Sequence, residues 1–354
     1  MSQLTDLRYH PMCKDVKLTH LTIADDLMIF CKGEELSVLR IMEALRHFLD
    51  VTSLNANSDK SSIYVAGVEE ETENKLLEIT RFKIGTFPVK YLGLPLSPKK
   101  WNKLDCHQLV LKITKKIRAV LARHLSYAGK LQVITSILFS LHNFWGAVFI
   151  LPQSVLKNVD KKCRDFLWGN NEKDKKMALV SWETVCKPKK EGGLNIKSSK
   201  KWNLAFVGKV IWLLVNNKEL LWVKWIYGIY MKQNDDFCTH VPPSSSSWYW
   251  KNPNKIKLGM QQCYNNGTCI LTTIGKYSVN QSYLDILGQG ASMGSYDLIW
   301  SKILLPKHRF ILWLAYQKRL LTKDRMLGMG FQCDDAHCVL CKKQEVEDNC
   351  YALF

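Results

Sequence analysis

Apolar residues open the chain in two short alternating runs. Leu18 to Ile23 enters with β-branched and apolar residues, and Leu27 to Phe30 leaves with Leu27 and Ile29 on one face and Met28 and Phe30 on the other. Between them Ala24-Asp25-Asp26 forms a hairpin tip. Val38, Met42, Leu45 and Leu49 then recur at helical spacing, predicting a helix over Leu36 to Leu49. Ile63-Tyr64-Val65 reads as a strand, Glu69 to Ile79 as a polar helix, and Phe87 to Leu96 as a strand punctuated by Pro88, Gly93 and Pro95. From Lys103 to about Tyr230 the pattern is almost wholly helical. Trp168, Trp182, Trp202, Trp212, Trp222 and Trp225 fall within its apolar periods, as core and interhelix packing residues do. Pro242 to Ser247 and Asn252-Pro253-Asn254 read as a linker or loop, and no internal repeat is evident. The predicted class is α+β, predominantly α-helical.

Composition narrows the function. With 354 residues, 47% of them hydrophobic and 11% aromatic, the chain is long enough for two or three folded domains. A formal charge of +18 and a pI near 9.3 imply a polyanionic partner, because Lys and Arg neutralise phosphates and release condensed counterions. One helix collects this charge. From Leu104 to about His124, Leu109, Ile113, Ile117 and Val120 or Leu121 form an apolar stripe, while Lys112, Lys115, Lys116, Arg118 and Arg123 occupy the remaining surface. Such a helix suits a nucleic-acid backbone, and a solvated face would read the same way. Twelve scattered cysteines with no small-domain disulfide framework, and no signal peptide, point to a reducing intracellular compartment, nucleus or cytoplasm. Leu131 to Leu151 carries no formal charge, but Gln132, Thr135, Ser136, His142 and Asn143 make it poor hydrocarbon and Pro152 ends it, so no membrane span is expected.

Chemistry concentrates at the first hairpin. Two carboxylates side by side at an apolar-flanked turn repel each other, so a bound cation is one physical reason to keep them; an ordinary solvated Asp turn is the other. Elsewhere no Gly-rich phosphate loop precedes a helix, Gly288-Gln289-Gly290 lacks a dinucleotide-fold context, and no Gly-x-Ser-x-Gly elbow is present. His107, His124 and His142 stand singly.

The stretch His20 to Gly33, with Ala24-Asp25-Asp26-Leu27 at its centre, resembles the active-site hairpin of reverse transcriptases of LINE-type, non-LTR retrotransposons. Six further blocks follow in the family's order. Leu54-Asn55 with Asn57 and Lys60-Ser61 looks like its next palm segment, and Tyr91 to Leu96 is similar to its strand entering the thumb. Leu125 to Leu131 follows, with Lys130 where the family usually has Arg. Phe166-Leu167-Trp168-Gly169, then Cys186 to Lys189 with Glu191-Gly192-Gly193-Leu194, and Trp202-Asn203 complete the series. Near the end, Tyr296 to Trp300, Pro306-Lys307, Phe310 to Trp313 and Arg319 to Thr322 resemble the zinc-binding domain that closes many of these polymerases.

The resemblance implies a palm remnant over residues 1–100, a helical thumb and connection region over 101–240, a linker or loop over 241–278, and a zinc-knuckle-like module over 279–354, shortened at its end. It implies RNA-directed DNA polymerase ancestry, with Asp25 and Asp26 holding magnesium, Lys60 near the incoming nucleotide, and Lys130 joining Lys112, Lys115, Lys116, Arg118 and Arg123 on RNA or an RNA/DNA duplex. Departures matter too. Ile23 replaces the aromatic residue that normally precedes Ala-Asp-Asp. The fingers and the first palm carboxylate lie upstream in the family, and a two-metal site needs that carboxylate, so the chain alone is expected to be an inactive fragment. In the last module Cys338 and Cys341 form a Cys-x-x-Cys knuckle. The family's His and last Cys have no match, leaving Cys350, with Cys333 or His337, as stand-in ligands for zinc. The second functional reading is a non-catalytic, basic nucleic-acid-binding protein derived from the same element.

Overall fold

A computed structural model describes residues 7–23, 25–53, 56–91, 94–96, 104, 106–121, 125–139, 145, 150–169, 178–231, 237, 239–260, 264–265, 268–269, 272–273, 276–288, 290–330, 332, 337 and 346. It divides into two compact units, Met1–Lys100 with Val210–Ile270 and Trp101–Lys209 with Leu271–Phe354.

In the first unit, strands β1 (His20–Ile23) and β2 (Asp26–Ile29) pair antiparallel in the register His20 to Ile29 and Ile23 to Asp26. The Phe30 amide extends the ladder to the Thr19 carbonyl at 2.8 Å. Helix α1 (Glu35–Thr52) packs on α2 (Glu70–Thr80), burying Val38 and Ile41 against a face that includes Leu76. Ser37, buried near the start of α1, donates to Glu34 and accepts from the Arg8 amide at 3.1 Å, tying the chain before the hairpin to the helix. Helix α2 links β3 (Ser62–Ile63) to β4 (Lys83–Ile84), which pair parallel; a parallel pair needs such a crossover.

Residues 89–91 and 94–96 pair as an antiparallel hairpin, β5 (Val89–Tyr91) with β6 (Leu94–Leu96), rather than forming part of the single strand expected over Phe87 to Leu96. The stretch expected as a linker, 241–278, instead carries helix α9 (Trp248–Gly259), with Pro253 inside it, and the β7 (Tyr264–Asn265) and β8 (Thr268–Cys269) hairpin. Tertiary packing overrides the low helix propensity of Asn252-Pro253-Asn254: Trp250 is buried, stacked on Tyr230 at 5.2 Å and edge-on to Phe237. Tyr230 ends helix α8 (Leu221–Tyr230).

The second unit is a helical assembly. Helix α3 (His107–Leu121), α4 (Tyr127–Val133) with a π-helical turn over Ile134–Leu138, and α5 (Gln153–Trp168) bury Leu109, Ile113, Ile134, Leu138, Leu156 and Leu167. Short helix α6 (Trp182–Val185) precedes a 3₁₀ turn at Lys189–Glu191, and α7 (Ser199–Asn216) begins here and runs on into the first unit. After the β9 (Thr272–Thr273) and β10 (Lys276–Tyr277) hairpin come α10 (Val279–Leu287), α11 (Tyr296–Ile299), α12 (Pro306–Tyr316) and α13 (Lys323–Gly328). Phe310 of α12 stacks on Tyr127 of α4 at 5.1 Å, and Trp202 meets Tyr283 edge to face at 5.2 Å. The fold is thus predominantly helical with small sheets, each two-stranded among the described residues. No helix among them is long and apolar enough to cross a membrane.

Candidate functional site

The first hairpin delivers the two candidate magnesium ligands to one place. Ile23 and Asp26 are the last pair of the ladder, and Asp26 opens β2. Both aspartates are exposed, and Ala24 lies outside the described residues. Beside them Leu27 is 41% exposed while Met28 and Ile29 are half-buried, so the hairpin is covered on part of its surface only. Among the described residues no group of three His, Cys, Asp or Glu side chains comes together to hold a metal.

Lys60 sits exposed on a turn organised by Asn57, whose Oδ1 accepts from the Asp59 and Lys60 amides at 3.0 and 3.1 Å. Asp59 in turn pairs with Lys83 at 3.1 Å. No hydrogen bond joins this turn to Asp25 or Asp26 among the described residues.

Helix α3 separates its residues by chemistry. Leu109 and Ile113 are 0% exposed and Ile117 is 7% exposed, whereas Lys112, Lys115, Lys116 and Arg118 are exposed. Arg123 lies outside the described residues. Lys130 does not belong with them. It is 5% exposed, its ammonium donates to the Gly169 carbonyl at the end of α5, and it stands 5.3 Å over the Tyr127 ring. A cation placed on the last carbonyls of a helix satisfies an orphan acceptor and favours the helix dipole. The α4 backbone holds it there: Ser126 caps the helix through its hydroxyl, 3.3 Å from the Gly129 amide.

The candidate zinc ligands Cys333, Cys338, Cys341 and Cys350 lie outside the described residues. His337 bridges antiparallel to Val346, and its carbonyl accepts from the Lys323 ammonium at 2.8 Å.

Three features of the second unit are assigned no role from the sequence. Asp160 of α5 is largely buried and accepts from the Ser199 amide at 3.0 Å; burial raises its carboxyl above the usual aspartate range, against the pull of the Ser199 hydrogen bonds. Burial also raises the thiols of Cys163 and Cys186, with the Asp160 charge adding to it. The third is the segment around Glu191-Gly192-Gly193. Gly192 has φ of 80°, and a β-carbon on Gly193 would collide with the Lys187 carbonyl oxygen, so both positions require glycine. The Gly192 carbonyl then accepts from the Trp313 indole at 2.8 Å and from Gln317 at 2.7 Å, fastening the Lys189–Glu191 turn to α12. This fastening places Lys189 4.2 Å over the Trp300 ring. Nothing in the sequence links Lys189 with Trp300, because only the tertiary fold brings these distant segments together.

Residues 277–354 match a family described as zinc-binding in reverse transcriptase. Over 175 residues the chain is 31% identical to an Arabidopsis thaliana protein named, provisionally, as a ribonuclease H protein; the match takes in 49% of this chain. It spans 28% of the length of that relative.

Proposed function

We propose that this chain derives from a retrotransposon-type, LINE-like RNA-directed DNA polymerase and acts by itself as a basic nucleic-acid-binding protein. The observation that carries the proposal is α3, whose apolar stripe is locked in the core so that Lys112, Lys115 and Lys116 stand in solvent on a rigid element. The match of residues 277–354 to the reverse transcriptase zinc-binding family supports the ancestry. Residues 1–100 correspond in this reading to part of a palm, 101–240 to thumb and connection, and 279–354 to the zinc-binding module. Cys338 and Cys341 would supply two thiolates to zinc, with Cys350 and Cys333 completing the set.

Asp25 and Asp26 would hold magnesium in an intact relative, the ion neutralising charge on the nucleotide phosphates. Two carboxylates on one exposed tip, with no third among the described residues, are too few to position both ions of such a site. The chain alone is therefore expected to bind without polymerising. Primer extension with magnesium, run beside an Asp25→Asn variant, should give no product in either, and Asp25-dependent extension would restore the enzyme reading. Binding of RNA or an RNA/DNA duplex at low ionic strength is the positive expectation.

A further inference from the structure

Lys189 and Arg309 are half-buried cations held near each other, with no acidic partner among the described residues. Lys189 lies against the face of Trp300, and Arg309 spends one guanidinium N–H on the Lys302 carbonyl at 3.0 Å. Neither forms an ion pair among those residues. Desolvation lowers the Lys189 pKa and the Arg309 charge lowers it further, with no carboxylate offsetting either. Like charges so placed repel, and the low local dielectric strengthens that repulsion. Two donors on Trp300 and Arg309 also lack acceptors: the Trp300 indole N–H and the Arg309 Nε–H are buried with no hydrogen-bond partner among the described residues. Buried donors are nearly always satisfied, so two together with two unpaired cations need an explanation.

The segments carrying them are firmly held. The Met293 amide donates to the Lys190 carbonyl at 2.7 Å, fixing the Lys189 turn to the chain leading into α11, and the Arg309 amide donates to Leu305 at 3.1 Å within the first turn of α12. The cluster is therefore built into the fold rather than left to long side chains on an open surface.

We propose that Lys189, Arg309 and Trp300 form an anion subsite that takes one phosphodiester group of a bound nucleic acid. An oxyanion between the ammonium and the guanidinium neutralises both charges, while the Trp300 ring supplies a flat apolar wall beside it. Planar guanidinium and point-like ammonium together are the pairing that phosphate recognition uses. The phosphodiester assignment rests on the nucleic-acid reading above; the anion subsite itself does not.

Two experiments separate these. In the first, the full chain is unfolded thermally in inorganic phosphate or in chloride at equal ionic strength. Phosphate should raise the midpoint of the wild type, Lys189→Arg and the exposed control Lys255→Gln, and lose most of that effect in Lys189→Met and in Arg309→Gln. Equal phosphate effects in all five proteins overturn the subsite. In the second, oligonucleotide affinity is measured against salt. With one phosphate fewer neutralised, Lys189→Met should show a slope of log K against log salt smaller by about 0.9 for a duplex or about 0.7 for a single strand. An unchanged slope alongside an intact phosphate effect overturns the phosphodiester assignment. Phosphate stabilisation without any oligonucleotide binding by the wild type would leave the subsite standing and defeat the nucleic-acid reading.

Discussion

Replacing Lys130 by Met tests whether this lysine is an internal fastener rather than a ligand for a polyanion. The side chain is 5% exposed, so its charge is not available to a backbone phosphate without unpacking α4 from α5. Met keeps most of the aliphatic stem and removes the ammonium. The loss comprises a charged hydrogen bond to the Gly169 carbonyl, about 1.5 to 3 kcal/mol, and the approach to the Tyr127 face, about 0.5 to 1 kcal/mol. Relief of ammonium desolvation offsets part of this. The expected net destabilisation is about 2 kcal/mol, or about 4 to 8 °C in the unfolding midpoint of a unit of this size. Urea unfolding monitored by helix content measures it, with nucleic-acid affinity followed against salt in the same preparations. Wild-type stability combined with a salt slope reduced by about one unit would refute the reasoning, because it would place the ammonium on a phosphate.

Asp160→Asn should flatten a pH dependence. The folded state binds the Asp160 proton more tightly than the unfolded chain, so this group's contribution is greatest below the unfolded value of about 3.8 and is lost as pH rises through its raised folded value. Unfolding free energies measured from about pH 4 to 7 should fall less steeply with rising pH in the variant, which keeps an acceptor for the Ser199 amide; an equal slope contradicts the assignment. Cys163 and Cys186, buried and with raised thiol pKa values, should resist iodoacetamide at about pH 8 in the folded protein and react in urea, and Cys31, pushed up to about 11, should react slowly too. Peptide mass spectrometry reads all three, and rapid native labelling of Cys163 would refute its burial. Purified under reducing conditions, the chain should carry one zinc per molecule that is lost in a Cys338→Ser, Cys341→Ser variant; absence of stoichiometric zinc ends that assignment.

What could be read from the sequence was what local periodicity determines. Leu109, Ile113 and Ile117 announced the buried face of α3 because a helix facing a core repeats its apolar residues every three to four positions. The alternation around Asp25 likewise announced the β1–β2 hairpin. In α1 helical spacing alone places the stripe one position off: Val38 is buried as expected, but Ile41 rather than Met42 shares its place in the core. Packing partners decide such details, and they come from distant sequence. The same limit hid α9, whose Pro253 and asparagines look like loop until Trp250 is seen against Tyr230 and Phe237. Lys130 shows it most sharply, since a buried and an exposed lysine are identical as letters. Only the carbonyl at Gly169 distinguishes them.

The salt dependence of binding to an RNA/DNA duplex tests the central claim most directly. The wild type should bind at low ionic strength with log affinity falling linearly in log salt. A Lys112→Gln, Lys115→Gln, Lys116→Gln variant, altered only on the exposed face of α3, should fold normally and show a slope smaller by roughly 2 to 3, at about 0.9 for each phosphate no longer neutralised. An unchanged slope, or a wild type that does not bind duplex or single strand at low salt, would contradict the account.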